Sequence, residues 1–376
     1  MLKSRRMHWL PAIFILPYLI LFLVVYRHLL KARAYRPEKD PEESVSVIIA
    51  CRNEEKNIEK LLRHLAVQDY PPHLFEVIVV DDNSDDQTAG IASSFERSMN
   101  LKVISNEGSG KKSAIRTGIG SSQGRLIITT DADCRMGTGW ISTIASFHND
   151  SKPDMIICPV KLEGSPGFFG KFQELEFLGL QGITAGTALA GSPVMCNGAN
   201  LAFTREVYTG HSPNLHLTIA SGDDIFLLHS LKKERGSAIR WLESPGSRVI
   251  ASAVDRPFEY LKQRRRWISK GRAYRDLLTI CLAVVTFFTI SLEISLLAAA
   301  LANKLYLPVF LVVLLVKSVP DFLILQNTAS RYSEQRLIKW FLLAQVIYPF
   351  YVMSVFFFSV FTSGGRELSF PSQRGT

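Results

Sequence analysis

Val45-Ser46-Val47-Ile48-Ile49-Ala50-Cys51-Arg52-Asn53-Glu54 is an apolar, β-branched run that stops at a polar cluster. Such a run reads as a strand covered on both faces, because a strand wetted on one side alternates apolar with polar residues. The same construction returns twice: Glu76 to Val80 runs into Asp81-Asp82-Asn83-Ser84, and Leu126 to Thr130 into Asp131-Ala132-Asp133. Around these runs lie helical patterns at Asn57 to Val67 and Gln87 to Phe95, and a further strand at Leu101 to Ile104. Strands alternating with helices predict an α/β fold, a Rossmann-like and mostly parallel sheet with crossover helices. Ligands bind beyond the carboxyl ends of the strands in such sheets. The three polar clusters stand there, so three strand ends are expected to converge on one crevice.

Outside this region the chain is lipid-like. Trp9 to Tyr26 and Trp340 to Phe361 carry no charged residue, Leu277 to Ala302 carries only Glu293, and Leu305 to Gln326 carries only Lys317 and Asp321. Each reaches the roughly 18 to 20 residues that cross a bilayer. The first run follows Lys3, Arg5 and Arg6 as a secretory signal would, but no small-x-small cleavage site follows Tyr26, which favours a spanning helix. The predicted division is an N-terminal transmembrane helix with a basic flank over residues 1–36, a catalytic domain over 37–276, three transmembrane helices over 277–363 and a polar tail over 364–376. Lys262, Arg264, Arg265, Arg266, Lys270, Arg272 and Arg275 precede the second span, and Arg331, Arg336 and Lys339 lie between the third and fourth. Positive residues stay on the cytoplasmic side. The expectation is a multi-pass protein of the cell membrane whose catalytic domain faces the cytoplasm.

The net charge of +9 does not point to nucleic acid, since the basic residues crowd beside predicted spans and no nucleic-acid module is present. Anionic lipid headgroups of the bilayer are the expected partner. Five scattered cysteines without C-x-x-C spacing argue against a disulfide framework and a zinc site. The aromatic segment Phe168, Phe169, Phe172, Phe177 and Leu178 fits either an amphipathic helix on the bilayer surface or a core helix of the catalytic domain.

Asp131 and Asp133 at a strand end can hold a hard divalent cation, Mg²⁺ or Mn²⁺, that also binds phosphate oxygens, although two acids at a turn are also commonly a solvated loop. Asp81 to Asp86 offers acceptors to a base ring and ribose hydroxyls, or forms an Asx-type turn and helix cap. Gly108-Ser109-Gly110-Lys111-Lys112 is a flexible turn with two cations, suited to a pyrophosphate or simply exposed. Ser221-Gly222-Asp223-Asp224 opens a helix, where its carboxylates cap the first turn or supply a general base. Gln263-Arg264-Arg265-Arg266-Trp267 offers an amide, guanidinium forks and an indole beside the membrane.

Taken in order, these motifs resemble the family-2 inverting glycosyltransferases of GT-A fold. The resemblance covers about residues 44 to 270 and includes Asn197-Gly198-Ala199-Asn200 and a Q-x-x-R-W made by Gln263, Arg266 and Trp267. It implies that Asp81 or Asp82 contacts the nucleoside of a nucleotide-sugar donor, with a UDP-sugar expected, and that Lys111, Asp131, Gln263, Arg266 and Trp267 serve the donor. It assigns the metal to Asp131 and Asp133 and favours Asp224 over Asp223 as the base; the family usually has Glu-Asp where this chain has Asp223-Asp224, and Asn where it has Arg116. The implied acceptor is a polysaccharide or a lipid. Four spans make a thin channel, so export of a polymer calls for an accessory subunit or an oligomer. A competing reading is a sensor that binds nucleotide-sugar without turnover.

Overall fold

The computed structural model describes residues 10–37, 42–212 and 222–362. The tail 364–376, Ser221 and part of the Pro37–Glu43 hinge lie outside the described residues. A short 3₁₀ turn (Leu10–Ile15) leads into α1 (Leu16–Leu29). The α/β region follows as β1 (Val45–Cys51), α2 (Ile58–Ala66), β2 (Phe75–Asp81), α3 (Thr88–Ser93), β3 (Leu101–Ser105), α4 (Lys111–Ser121), β4 (Leu126–Thr130), β5 (Arg135–Met136) and α5 (Trp140–Ser151). It continues with β6 (Met155–Ile157), β7 (Val160–Glu163), α6 (Phe168–Leu189), β8 (Leu201–Thr204), α7 (Arg205–His211), α8 (Asp223–Arg235), β9 (Ile239–Trp241), β10 (Val249–Ser252) and α9 (Pro257–Ser269). Three long helices close the chain: α10 (Leu277–Ala302), α11 (Leu307–Tyr332) and α12 (Phe341–Thr362).

The main sheet has seven strands in the order β3-β2-β1-β4-β8-β6-β9, and β5-β10-β7 form a smaller one. β1, β2, β3 and β4 are mutually parallel, while β8 runs antiparallel to both β4 and β6. The order reverses between β1 and β4, which is where an open α/β sheet opens its ligand crevice. Register sets the level of the polar clusters: Ile49 stands opposite Thr130 and Cys51 opposite Asp81, so the residues after β1, β2 and β4 meet at one height.

The sheet's two faces feed two cores, as the period-two alternation of a strand requires. Val47, Ile49, Val77 and Val79 pack with Leu61, Leu62, Trp140 and Ile141. Ile48, Ile78, Val80 and Ile127 join a second cluster that runs through Ile115, Phe226 and Leu228 to Tyr18, Phe22, Val25, Val309 and Val313. The main sheet and the apolar helices therefore share one continuous core.

α6 makes that continuity possible. It is a core helix, burying Phe172, Leu175, Phe177 and Leu178, which settles the two readings of this segment. A Cβ at Gly182 would lie 2.5 Å from Thr328 Oγ1 and 2.6 Å from Ile324 Cγ2, and one at Gly186 would lie 2.6 Å from the Val25 carbonyl oxygen. Small residues let helices approach closely where side chains would hold them apart. Gly186→Leu is expected to destabilise by about 1–3 kcal/mol by overpacking. Gly120→Ala, with open space around it, serves as control. Thermal unfolding in detergent compares the two; equal midpoints would count against the close packing of α6 on α1.

Three stretches, Leu277–Ala302, Lys304–Tyr332 and Gln335–Phe361, are long and apolar enough to cross a membrane, and Ile13–Leu29 is a shorter apolar helix. Their charged residues meet inside the bundle. Fully buried Lys317 donates to Gln345 Oε1 at 2.8 Å and lies 3.2 Å from Asp321 and 3.9 Å from Glu293. Asp321 also accepts from Tyr18 at 2.6 Å and from Gln345 Nε2 at 3.0 Å. One polar group thus joins α1, α10, α11 and α12. Arg331 donates to the carbonyls of Leu29 and Ala32, satisfying the open end of α1.

Candidate active site

The crevice begins at the β1 and β2 ends, where two asparagines lock the turns together. Asn53 and Asn83 both adopt positive φ, 57° and 56°, a conformation asparagine tolerates better than most residues. Asn53 Oδ1 accepts from the Asp85 amide at 2.8 Å, and the Asn53 amide donates to Ser84 Oγ at 3.0 Å. Asp82 is buried and taken up by the glycine-rich loop, both its oxygens accepting from the Gly110 amide at 2.9 Å and Oδ1 also from Asn106 Nδ2 at 2.6 Å. Asp81 differs: Oδ2 accepts from the Ser84 amide at 3.2 Å, and buried Oδ1 has no partner among the described residues. Of the two, Asp81 is the one with an acceptor to spare.

Gly110, with φ of 84°, turns the loop into α4 at a conformation that suits glycine. Lys111 thereby starts the helix, and its Nζ forms an ion pair with Asp131 Oδ1. Burial alone would lower the proton affinity of this amine, but Asp131, Asp223 and Asp224 raise it above its ordinary value. Asp133 lies beside Asp131; burial first and then Asp131 push its carboxyl up. Burial likewise raises Glu54, opposed by its hydrogen bond from Asn57 and assisted by Asp133 and Asp131. Three acids repelling one another, with Lys111 acting on Asp131 and Asp133, fit a site that gains from a further cation. Among the described residues no three His, Cys, Asp or Glu side chains are grouped to hold a metal alone. Asp131 and Asp133 with ligand phosphate oxygens suit Mg²⁺ or Mn²⁺, which seldom rely on an all-protein cage.

The far wall is α8. Gly222, with φ of 93°, precedes it and places Asp223 and Asp224 in the first turn. Asp224 Oδ2 accepts from the Gly198 amide at 3.0 Å, and the Gly198 carbonyl accepts from Thr129 Oγ1 on β4 at 2.8 Å. The Asn197-Gly198-Ala199-Asn200 turn therefore bridges β4 to α8. Asp223 is pushed up by burial and by Asp224, against Lys111 and Lys270. Lys111 thus links the Asp131 side of the crevice to the Asp223-Asp224 side.

The Q-x-x-R-W segment lies within α9. Tyr260 and Arg264 form the buried face of α9, with Arg264 Nη2 2.5 Å from Glu176 Oε2, Nε donating to Tyr351 at 3.1 Å, and the guanidinium 4.0 Å from the Trp267 ring centre. Trp267 packs on Arg264, towards α6 and α12. Arg266 is exposed and Gln263 half-buried. The tie from α9 to the carboxylates comes one turn later. A Cβ on Gly222 would stand 2.9 Å from Lys270 Cδ, and Lys270 acts on Asp223. Sequence reasoning counted Lys270 only as a charge beside a span and passed over Glu54 as a site residue. Glu54 had a signal, its place beside Asn53 at a strand end; Lys270 had none.

Residues 46–209 match the family described as Glycosyl transferase family 2. Among curated proteins the chain is 32% identical over 124 residues to the poly(ribitol-phosphate) beta-N-acetylglucosaminyltransferase TarS of Staphylococcus aureus, covering 32% of this chain and 21% of that one. It is 31% identical over 112 residues to the beta-monoglucosyldiacylglycerol synthase of Trichormus variabilis, covering 29% of this chain and 24% of that one. The match thus spans a quarter or less of either relative. Among solved structures, the mannosyltransferase PcManGT of Pyrobaculum calidifontis, in complex with GDP-Man and Mn²⁺, aligns with a TM-score of 0.57 at 17% identity over 92% of this chain and 98% of that one. Sheet order, strand-end clusters and these likenesses agree: the chain carries a glycosyltransferase family 2 domain on a GT-A fold, followed by three helices apolar enough to span a membrane.

Proposed function

We propose that this chain is a membrane-embedded, inverting hexosyltransferase that moves a sugar from a nucleotide-sugar, with a UDP-sugar the expected donor, to a polysaccharide or lipid acceptor. The observation that carries this reading is the meeting of Asp131, Asp133 and Lys111 with Asp223 and Asp224 across one crevice at the sheet's switch point. The names of the two curated relatives given above include a polymer, poly(ribitol-phosphate), and a lipid, monoglucosyldiacylglycerol.

In this reading Asp81 Oδ1 accepts from the base of the donor, and Lys111 holds the diphosphate. A divalent cation bound by Asp131 and Asp133 would supply positive charge at that diphosphate. The acceptor hydroxyl oxygen attacks the anomeric carbon as the bond to the diphosphate oxygen breaks, and its proton passes to Asp224. One displacement inverts the configuration and releases the nucleoside diphosphate. The domain of residues 37–276 works at the cytoplasmic face, held by α1, α10, α11 and α12 as spans. Gln263, Arg266 and Trp267 border the route by which donor and acceptor arrive.

Nucleotide release by the purified full chain, across UDP- and GDP-sugars with Mn²⁺ or Mg²⁺ and membrane lipid, tests this. Release with one donor, lost in EDTA and restored by metal, is the expected result; binding without release under every condition would favour a sensor. Asp133→Asn is expected to raise the metal concentration needed for half-activity at least tenfold. Because burial and Asp131 raise the Asp133 carboxyl, protons compete with metal at a higher pH than for an ordinary aspartate. The metal requirement should therefore climb as the pH falls through the acid range, and a requirement independent of pH would count against Asp133 as a ligand.

A further inference from the structure

Helical spacing sets the face that α6 turns towards α9. Phe169, Gln173 and Glu176 stand at i, i+4 and i+7, one stripe of one helix. Each takes hold of α9 or of the chain that enters it. Phe169 lies edge-on to Tyr260 with ring centres 5.7 Å apart. Gln173 makes two bonds to one residue, Nε2 donating to the Val254 carbonyl at 2.8 Å and Oε1 accepting from the Val254 amide at 3.2 Å. Glu176 Oε2 accepts from Arg264 Nη2 at 2.5 Å, and its Oε1 accepts from Tyr351 of α12 at 3.4 Å.

The rings and the amide would hold α9 without any charge, yet the third contact is an ion pair whose side chains are 4% exposed at Arg264 and 8% at Glu176. Arg264 Nη1 is buried with no partner among the described residues, so the guanidinium leans on Glu176 for its balance. A buried ion pair is a poor source of stability, since apolar groups of similar volume often replace it at no cost. What it supplies is orientation, because a planar guanidinium fork meets a carboxylate in few geometries. The pair therefore fixes how α9 is turned and where along α6 it sits.

The far end of α9 reaches the crevice. Lys270 follows the last residue of the helix, about 9 Å along the axis from Arg264 at the helical rise per residue. Its side chain passes Gly222, where a Cβ would come within 2.9 Å of Lys270 Cδ, and its charge opposes the repulsion between Asp223 and Asp224. A turn of α9 about its own axis at Arg264 would carry Lys270 off this wall.

We propose that Glu176 is a positioning residue for sugar transfer: by holding Arg264 it seats α9 so that Lys270 stands against the wall that carries Asp223 and Asp224. This rests on the transfer proposed above and extends it to a residue outside the crevice.

The test uses the full chain in detergent and removes the pair as a pair, Glu176→Gln with Arg264→Met, so that no buried charge is left alone. Thermal unfolding confirms that the variant is folded; Glu176→Asp, which keeps both charges and shortens the reach, is the second variant and should show the same changes to a smaller extent. Brief acylation with an N-hydroxysuccinimide ester, read by mass spectrometry, is expected to label Lys270 several-fold faster in the pair variant, and Lys262, exposed on the same helix, at the parent's rate. The kcat for transfer is expected to fall about tenfold, as a displaced crevice group would cause, with a smaller change in donor KM. Lys270→Met should lower kcat by a similar factor, and adding it to the pair variant should cost no more than about twofold further, because both changes act through one amine. Unchanged labelling of Lys270 overturns the proposal, as does a pair variant with the parent's kcat, or a Lys270→Met effect that multiplies with that of the pair. A parent chain that neither binds nor turns over any donor sinks the transferase reading instead, and the labelling, measured without donor, tells that failure apart from a failure of the positioning.

Discussion

Asp224→Asn is expected to lower sugar transfer by about 10²–10⁴-fold, the range that a positioned general base contributes. Donor affinity should change little. The reason lies in what the carboxylate touches: Oδ2 accepts from the Gly198 amide at 3.0 Å and Oδ1 from its neighbour Ile225 at 2.8 Å. An asparagine oxygen can keep one of these bonds, so the turn that bridges β4 and α8 survives while the capacity to take a proton is lost. Asp223→Asn is the necessary comparison. Asp223 lies beside Lys111 and Lys270, and burial already favours its protonated form. Its loss is expected to cost about tenfold or less, acting through the lysines and not through the proton. Measured kcat and donor KM for both variants decide the assignment; a larger fall for Asp223→Asn would transfer the base to that residue.

Lys317→Met is expected to be the most destabilising single change in the spans, by about 3–5 kcal/mol, because removing one partner of a buried ion group leaves the others uncompensated. Lys317 is fully buried and faces Asp321, Glu293 and Gln345. Among the described residues both oxygens of Glu293 lack a hydrogen-bond partner, and the compensation they have is the charge of Lys317. The effect should therefore be reversible by subtraction. Lys317→Met combined with Glu293→Gln and Asp321→Asn should recover most of the loss, since neutral groups of similar volume often replace a buried ion group at little cost. Thermal or denaturant unfolding in detergent reads both; a single variant with the stability of the parent would show that the cluster does not hold the bundle.

The parallel half of the sheet was legible because its strands are continuous apolar runs closed by polar residues, and because each run ends at the crevice. The half beyond β4, in which only β8 runs antiparallel, was not. β6, β8 and β9 are three or four residues long, and so short a segment has no period to read. The crevice residues were legible for the same reason as the strands, since Asp131 and Asp133 had to stand at the end of β4. The Asp81–Asp82 pair was legible only as a pair, because adjacent residues point to opposite sides of a strand end and sequence does not say which side the loop will occupy. At Gln263 to Trp267 the difficulty is phase. Arg264, Arg265 and Arg266 are chemically identical, and only spacing from Tyr260 and Trp267, four back and three on, marks Arg264 as the one on the packed face. Lys270 is brought to Asp223 by a loop-and-helix geometry with no local trace.

The bond between Tyr18 and Asp321 joins residues 303 positions apart. At ordinary rates of synthesis, α1 waits roughly 15–60 s before its partner on α11 leaves the ribosome. Throughout that interval Tyr18 and the open carbonyls of Leu29 and Ala32 lack their native partners, Asp321 and Arg331. The sheet, meanwhile, is complete in sequence by Ser252. Assembly of this protein is therefore a delayed clasp: the α/β unit can mature early, but its seating on the helical bundle waits for late-made helices, and a nascent chain halted before α11 would carry an α1 whose polar partners have not yet been made.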